Sequence, residues 1–236
     1  MQNVYLECKM LTERLQKIKN LIEKSNTVFD VGTDHGYVPI SLIKENRAAK
    51  VIAADINEGP LKNADKNIRL AGLSDYIDLR LGSGLVPMKN GEADTVIIAG
   101  MGGILIADIL KESCDKTTSV EKFILQPMYS QEILRKYLID NSFEIIKEHL
   151  VRENEKIYNI IEAVPGKEKR CYESECFLKL GHPDIIERDE TFFMYIEKRK
   201  KHTEKLYENL KKAKQPKEQE LLSVKQILDD LEKYYA

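Results

Sequence analysis

Uninterrupted apolar runs are what this chain lacks most. Its greasiest stretch, TVIIAGMGGILIADIL (95–110), is broken by three glycines and Asp108. It therefore reads as strand, loop and helix, and a membrane span is not expected. The opening residues hold no continuous apolar core of the kind a signal peptide carries, which predicts a cytoplasmic protein. Cysteine is scarce too: Cys8, Cys114, Cys171 and Cys176 make no disulfide framework in 236 residues. CYESEC (171–176) brings two of them near His182, but a matching second pair is missing, so no metal is expected. Repeats and low-complexity tracts are absent, and 42% apolar residues suit an ordinary globular chain.

Net charge is also small, at −2, but it is unevenly spread. Residues 196–217 carry nine Lys/Arg against three Glu, so this segment is +6 and the remainder −8. A basic appendage on an acidic body points to a polyanionic partner; a solvated helix face is the plainer alternative.

Two rhythms divide the chain. From 28 to 164, short β-rich runs (TVFDV, KVIAAD, YIDLRL, DTVIIA, KFILQ) alternate with helical patterns. Strands with little polar alternation, separated by helices, predict a parallel sheet covered on both faces, an α/β doubly wound fold. Leu61, Ala64, Ile68 and Ala71 share one helical face, and Gly72 suits its termination. FEIIKEHLV and KIYNIIEAV then read as a closing antiparallel pair, and MLTERLQKIKNLIEK before the first strand as an amphipathic helix. Residues 1–165 are thus read as the sheet domain and 166–188 as a connector. Residues 189–236 are read as an antiparallel coiled-coil hairpin. In it Phe192, Ile196, Thr203, Leu206, Leu210 and Ala213 keep a heptad, broken at Arg199. Pro216 interrupts, and Leu221, Val224, Leu228, Leu231 and Tyr235 resume the spacing.

The chemistry is expected at the strand tips. VFDVGTDHGY (28–37) ends an apolar strand at Asp30 and sets Gly32 and Gly36 four residues apart. In a doubly wound sheet, ligands bind beyond the carboxyl ends of strands where the order reverses. There the glycines permit a sharp turn and a close approach. The second strand ends at Asp55, placed to accept hydrogen bonds from ribose hydroxyls. The third ends in LGSG, with Ser83 available to an adenine edge, and the fourth in AGMGG. A dinucleotide site would need G-x-G-x-x-G, whereas this loop is D-x-G-x-x-x-G. Asp30, Asp34 and Asp55 repel a diphosphate and suit a ligand with a positive centre and a sugar, as S-adenosylmethionine has.

DVGTDHGYVP, GSGL, IIAGMGG and FILQP together resemble the bacterial tRNA (adenine-N1)-methyltransferase family acting on position 22 of tRNA. The resemblance spans nearly the whole chain, including ERLQ in the first helix and the hairpin. It implies a Rossmann-like class I methyltransferase fold, S-adenosylmethionine as donor and tRNA as acceptor. Two positions depart from the familiar pattern: GSG stands for Gly-Asp-Gly, and QPM for Gln-Pro-Asn, which leaves Met128 without a polar group. The Asp/Asn-Pro-Pro-aromatic motif of amino-group methylases is missing. That absence fits attack by a ring nitrogen, whose in-plane lone pair needs alignment more than a general base. N1 lies on the pairing edge, so the adenine must be unpaired or extruded first.

The expected cofactor-facing residues are Asp30, Gly32, Thr33, His35, Gly36, Asp55, Ile56, Gly82, Ser83, Gly84, Ala99 and Gly100. Asp34, Met101 and Gln126 are candidates beside the reacting atoms. Arg14, Tyr37, Gly102, Gly103, Lys198, Arg199, Lys200 and Lys201 are candidates for RNA contact. Arg14 suits a cofactor carboxylate equally, and Gly102 and Gly103 have a plainer reading as a helix start. Tyr5, Tyr37 and Tyr129 are stacking platforms or core and rim residues. The lysines either contact tRNA phosphates or only solubilise a coiled coil, with a dimer seam a third option. Three functions stay open: an RNA adenine methylase, a nucleotide-dependent oxidoreductase, and a non-catalytic RNA-binding adaptor.

Overall fold

Apolar β-branched runs bury on both sides, and they set the architecture. The computed structural model describes residues 11–172, 174–212 and 218–235. Tyr5, Cys8, Ala213 and Pro216, invoked above, lie outside the described residues. Strands β1 (Ser25–Val31), β2 (Ala48–Asp55), β3 (Ile77–Leu81), β4 (Thr95–Met101) and β5 (Lys122–Pro127) run parallel. β6 (Phe143–Glu153) and β7 (Lys156–Pro165) form the expected antiparallel pair, and β7 docks antiparallel on β5. The sheet order is β3-β2-β1-β4-β5-β7-β6, so the order reverses between β1 and β4.

Helices cover both faces. On one, α1 (Glu13–Asn20), α2 (Tyr37–Lys44) and α3 (Glu58–Ala71) lie over Val28, Val51, Ile97 and Ile124. On the other, α4 (Gly103–Glu112) and α6 (Gln131–Asp140) cover Phe29, Ile52, Ile98 and Phe123, with the short α5 (Cys114–Thr117) between them. Neighbouring residues of one strand thus enter opposite cores, which is why these strands show no polar alternation. Local signals fix the helix ends. The Thr12 hydroxyl accepts from the Leu15 amide at the start of α1, and Gly72 ends α3 at φ 70°.

The C-terminal part has its own apolar core. α7 (Glu175–Leu180), α8 (Glu190–Lys211) and α9 (Glu218–Glu232) bury Phe177, Phe192, Ile196, Leu231 and Tyr234 against Leu150 of β6. The segment expected as a connector therefore carries a helix and part of a core. It also pairs with the sheet edge, where Ile186 bridges Glu148. Two heptad positions need correction. Leu206 is 42% exposed, and Tyr234, not Tyr235, closes the base, with its hydroxyl donating to the Gly181 carbonyl at 2.5 Å. The phase of α8 is set where Phe192, Tyr195 and Ile196 meet the sheet. A straight helix then drifts off a strict seven-residue repeat.

Candidate active site

The reversal of strand order leaves a cleft of about 530 Å3 between the tips of β1 and β4, roofed by α1. That volume lies in the usual range for small-ligand sites. Of the expected residues, Asp30 lines it from the end of β1 and Gly32, Thr33, Asp34 and His35 from the loop that follows, joined by Tyr37. Ala99 and Gly100 line it from β4, and Arg14 from α1. Gly36, Asp55, Ile56, Gly82, Ser83 and Gly84 lie beyond its lining, on the tips of β2 and β3 and the start of α2.

Asp30 is buried, and burial pushes its carboxyl up to about 6; the Thr33 hydroxyl opposes this and the charge of Asp55 adds to it. Asp55 closes β2, accepting from the Asn57 amide at 2.7 Å through its side chain and from the Gly82 amide at 3.0 Å through its carbonyl. Two carboxylates thus face the same end of the sheet. Between them Gly32 turns at φ 76°, and a Cβ there would collide with the Met101 methyl. His35 is held at φ 60°, its ring 3.2 Å from the Asp34 carboxylate and stacked 5.4 Å from Tyr37. The exposed side chains of Ile56 and Ser83 stand on the neighbouring tips. Gly82 packs on Pro87 and Gly84 on Ile109.

Gln126 is fully buried. Its Oε1 accepts from Arg14 Nη1 at 2.6 Å and from the Gly100 amide at 3.1 Å. Its Nε2 donates to the Pro127 carbonyl at 2.9 Å and, more weakly, to Met128 Sδ at 3.7 Å. The amide therefore ties α1 to the β4 tip. Arg14 gains more from two residues that the sequence did not flag. The Glu153 carboxylate accepts from the Arg14 backbone amide at 3.1 Å, and the Tyr158 ring lies 5.6 Å under the guanidinium. Arg14 Nε is buried in the cleft wall with no hydrogen-bond partner.

Gly102 caps α4, and a Cβ there would meet the Tyr129 ring at 2.7 Å. The Gly103 amide donates to the Tyr129 carbonyl at 2.8 Å, and a Cβ at 103 would strike the Ser130 carbonyl. Both glycines thus start a helix and also admit the β5–α6 turn. The basic residues of α8 stand outside the cleft lining. Lys198 is exposed, Arg199 lies 5.2 Å over the Tyr195 ring, Lys200 pairs with Glu232 at 2.5 Å, and Lys201 pairs with Glu197 at 2.6 Å. Cys176 is buried, which pushes its thiol up to about 12, and His182 packs on the Tyr172 and Phe177 rings. Among the described residues, no group of three or more His, Cys, Asp or Glu could hold a metal ion. No described helix is long and apolar enough to cross a membrane.

A family model described as a methyltransferase domain matches residues 11–161. The tRNA (adenine(22)-N(1))-methyltransferase of Bacillus subtilis (strain 168) is 32% identical over 225 residues, which is 94% of each chain. The crystal structure of the B. subtilis m1A22 tRNA methyltransferase TrmK aligns at 31% identity with a TM-score of 0.76, over 96% of this chain and 97% of that one. A Streptococcus pneumoniae protein solved in complex with S-adenosyl-L-methionine aligns at 32% identity and a TM-score of 0.77, over 93% and 100%. With strand order, cleft position and near full-length likeness in agreement, the chain belongs to the tRNA (adenine(22)-N(1))-methyltransferase family.

Proposed function

We propose that this protein transfers a methyl group from S-adenosylmethionine to N1 of adenine 22 in tRNA. The observation that carries this reading is the pair of carboxylates, Asp30 and Asp55, on adjacent strand tips around a bare glycine turn. Such a site attracts a cation with a sugar and repels a diphosphate. The cleft fits that donor in three further ways. Gly32 and Gly100 put bare backbone in the cleft wall, the Asp30 carboxyl gains from a positive neighbour, and Arg14 Nε is a buried donor still to be matched. The bound donor supplies a methyl group already activated on a sulfonium.

The protein's own residues then have distinct roles. Asp55 accepts from the ribose hydroxyls, Asp30 faces the positive centre, and Arg14 is directed to the donor's carboxylate. Gln126 is a positioning residue that holds Arg14 and Gly100 in one arrangement. Met101 packs over Gly32, between the donor loop and the acceptor side, while Asp34 and His35 stand at the rim. Because N1 attacks through an in-plane lone pair, alignment supplies most of the acceleration, and no proton needs removal during transfer.

The exposed lysines of α8 are assigned to the tRNA backbone, which needs charge but no sequence code. In this reading residues 1–165 hold the donor, 189–236 dock tRNA, and 166–188 join them. A tRNA substrate and the three unpaired cysteines among the described residues suit a cytoplasmic enzyme. Incubation with labelled S-adenosylmethionine and unmodified tRNA, followed by nucleoside digestion, tests the proposal. The label should appear as 1-methyladenosine at position 22. Absence of label, or its appearance in another nucleoside, would overturn it.

A further inference from the structure

Large apolar side chains exposed at a strand tip cost solvation unless something covers them, and this chain gathers five at one place. Ile104 and Leu105 stand in the first turn of α4, Met128 and Tyr129 in the β5–α6 turn, and Ile133 in the first turn of α6; all are exposed. Tyr129 is the most open, at 64%. Its backbone is nonetheless anchored. The Gly103 amide donates to its carbonyl at 2.8 Å, and the Met128 amide donates to the Met101 carbonyl at 2.8 Å. The ring lies over Gly102, where any Cβ would be 2.7–2.8 Å from its edge. The next residue, Ser130, is held at φ 55°, a left-handed conformation that side chains other than glycine seldom adopt. The turn is therefore kept in a strained shape that presents an aromatic ring to solvent.

The position of this ring limits what it can serve. Gly100 lines the donor cleft, Met101 packs over Gly32, and Gly102 carries the Tyr129 ring, so the apolar surface begins two residues from the cleft wall. The first turn of α4 carries no charged residue and that of α6 only Glu132, while Lys136 one turn further on is paired with Asp140 at 2.9 Å. A surface with so little free positive charge disfavours a phosphate and suits the neutral face of a base. A ring of this kind offers stacking that is tolerant of base identity.

We infer that Tyr129, backed by Met128 and Leu105, stacks against the extruded acceptor base and holds it beside the β4 tip. This inference rests on the proposed methylation of a tRNA adenine and adds the surface that receives that base. It assigns selection of the unpaired base to the β5–α6 turn, apart from the residues that bind the donor.

The absence of tryptophan from the chain gives a direct probe, because Tyr129→Trp installs the sole indole. Its emission should be quenched on titration with unmodified tRNA, and S-adenosylmethionine alone should leave it unchanged. Tyr129→Ala should lower kcat/KM for tRNA methylation by about 10- to 100-fold, the range that loss of one base–aromatic stack gives. Tyr129→Phe should restore most of it, and donor affinity should be unchanged in both variants. Wild-type kcat/KM in Tyr129→Ala, with tRNA-insensitive emission from Tyr129→Trp, would overturn the stacking role while leaving the methyltransferase reading intact. Emission that depends on protein concentration without RNA would also overturn it, since a second copy would then cover the patch. A wild-type enzyme that transfers no methyl to tRNA would remove the parent reading and the stacking role with it.

Discussion

Asp30 illustrates how a single buried carboxylate connects stability with ligand binding. Burial raises it from an ordinary value of 3.8 to about 6, with repulsion from Asp55 adding and Thr33 opposing. The native state therefore keeps its proton between about pH 4 and 6, where the unfolded chain has lost it. Stability should fall as pH rises through that window, and Asp30→Asn should flatten the slope of the thermal midpoint against pH. Binding of a cationic donor favours the ionised form. Affinity for S-adenosylmethionine should accordingly weaken by up to about tenfold per pH unit below pH 6. Calorimetric titration between pH 5 and 8 checks this, with Asp30→Asn weak and pH-insensitive throughout. Asp55 sits on the next tip and answers to a different measurement. Asp55→Ala removes charge-assisted acceptors, so donor affinity should drop about 10- to 100-fold. The rate at saturating donor should change much less. Unaltered affinity would exclude Asp55 as the ribose acceptor.

Among the elements, α8 and α9 separate into a base and an arm. The base is apolar, with Phe192, Tyr195, Ile196, Leu231 and Tyr234 packed on α7 and β6. Further along, α8 has mostly exposed residues, and its lysines pair with glutamates on the same hairpin. Exposed pairs of this kind contribute little to stability, so these lysines can exchange their partners for phosphates at small cost. Combined Lys198→Glu, Lys200→Glu and Lys201→Glu substitution should weaken tRNA binding. The salt dependence of log K should become shallower by about 0.7–0.9 for each phosphate that is no longer neutralised. Binding isotherms at several salt concentrations give both quantities, and an unshifted thermal midpoint would verify that the base still folds. Unchanged affinity and slope would remove the arm from tRNA docking.

Across the whole molecule, a chain of hydrogen-bonded and ion-paired side chains joins parts that are far apart in sequence. Lys17 of α1 pairs with Glu187 at 2.5 Å, and Glu187 accepts from His149 of β6 at 2.6 Å. His149 reaches Glu162 of β7 at 2.6 Å, and Glu162 pairs with Lys122 of β5. Burial alone would push the Glu187 carboxyl up, but His149 and Lys17 outweigh it and hold the group down to about 2. A carboxylate with a depressed native pKa contributes stability above its ordinary value of 4.5, and that contribution is lost as pH falls toward 2. Glu187→Gln should lower the thermal midpoint at pH 7 and lessen its decline below pH 4.5, readable from melting curves across pH. Features that depend on the chain nearby were legible in the sequence itself. Apolar strand runs imply a parallel sheet, Gly32 and Gly36 imply a bare turn beside acidic tips, and Gly72 implies a helix end, because periodicity and backbone freedom are local properties. What stayed hidden were the partners that the strand order brings together. Gln126 meets Arg14 across 112 positions, and Glu153 meets it across 139. The β5–α6 turn fills the space that Gly102 and Gly103 leave open, and the sheet edge sets the phase of α8. These pairings depend on which strands are neighbours and in what register, and residue spacing along the chain carries neither.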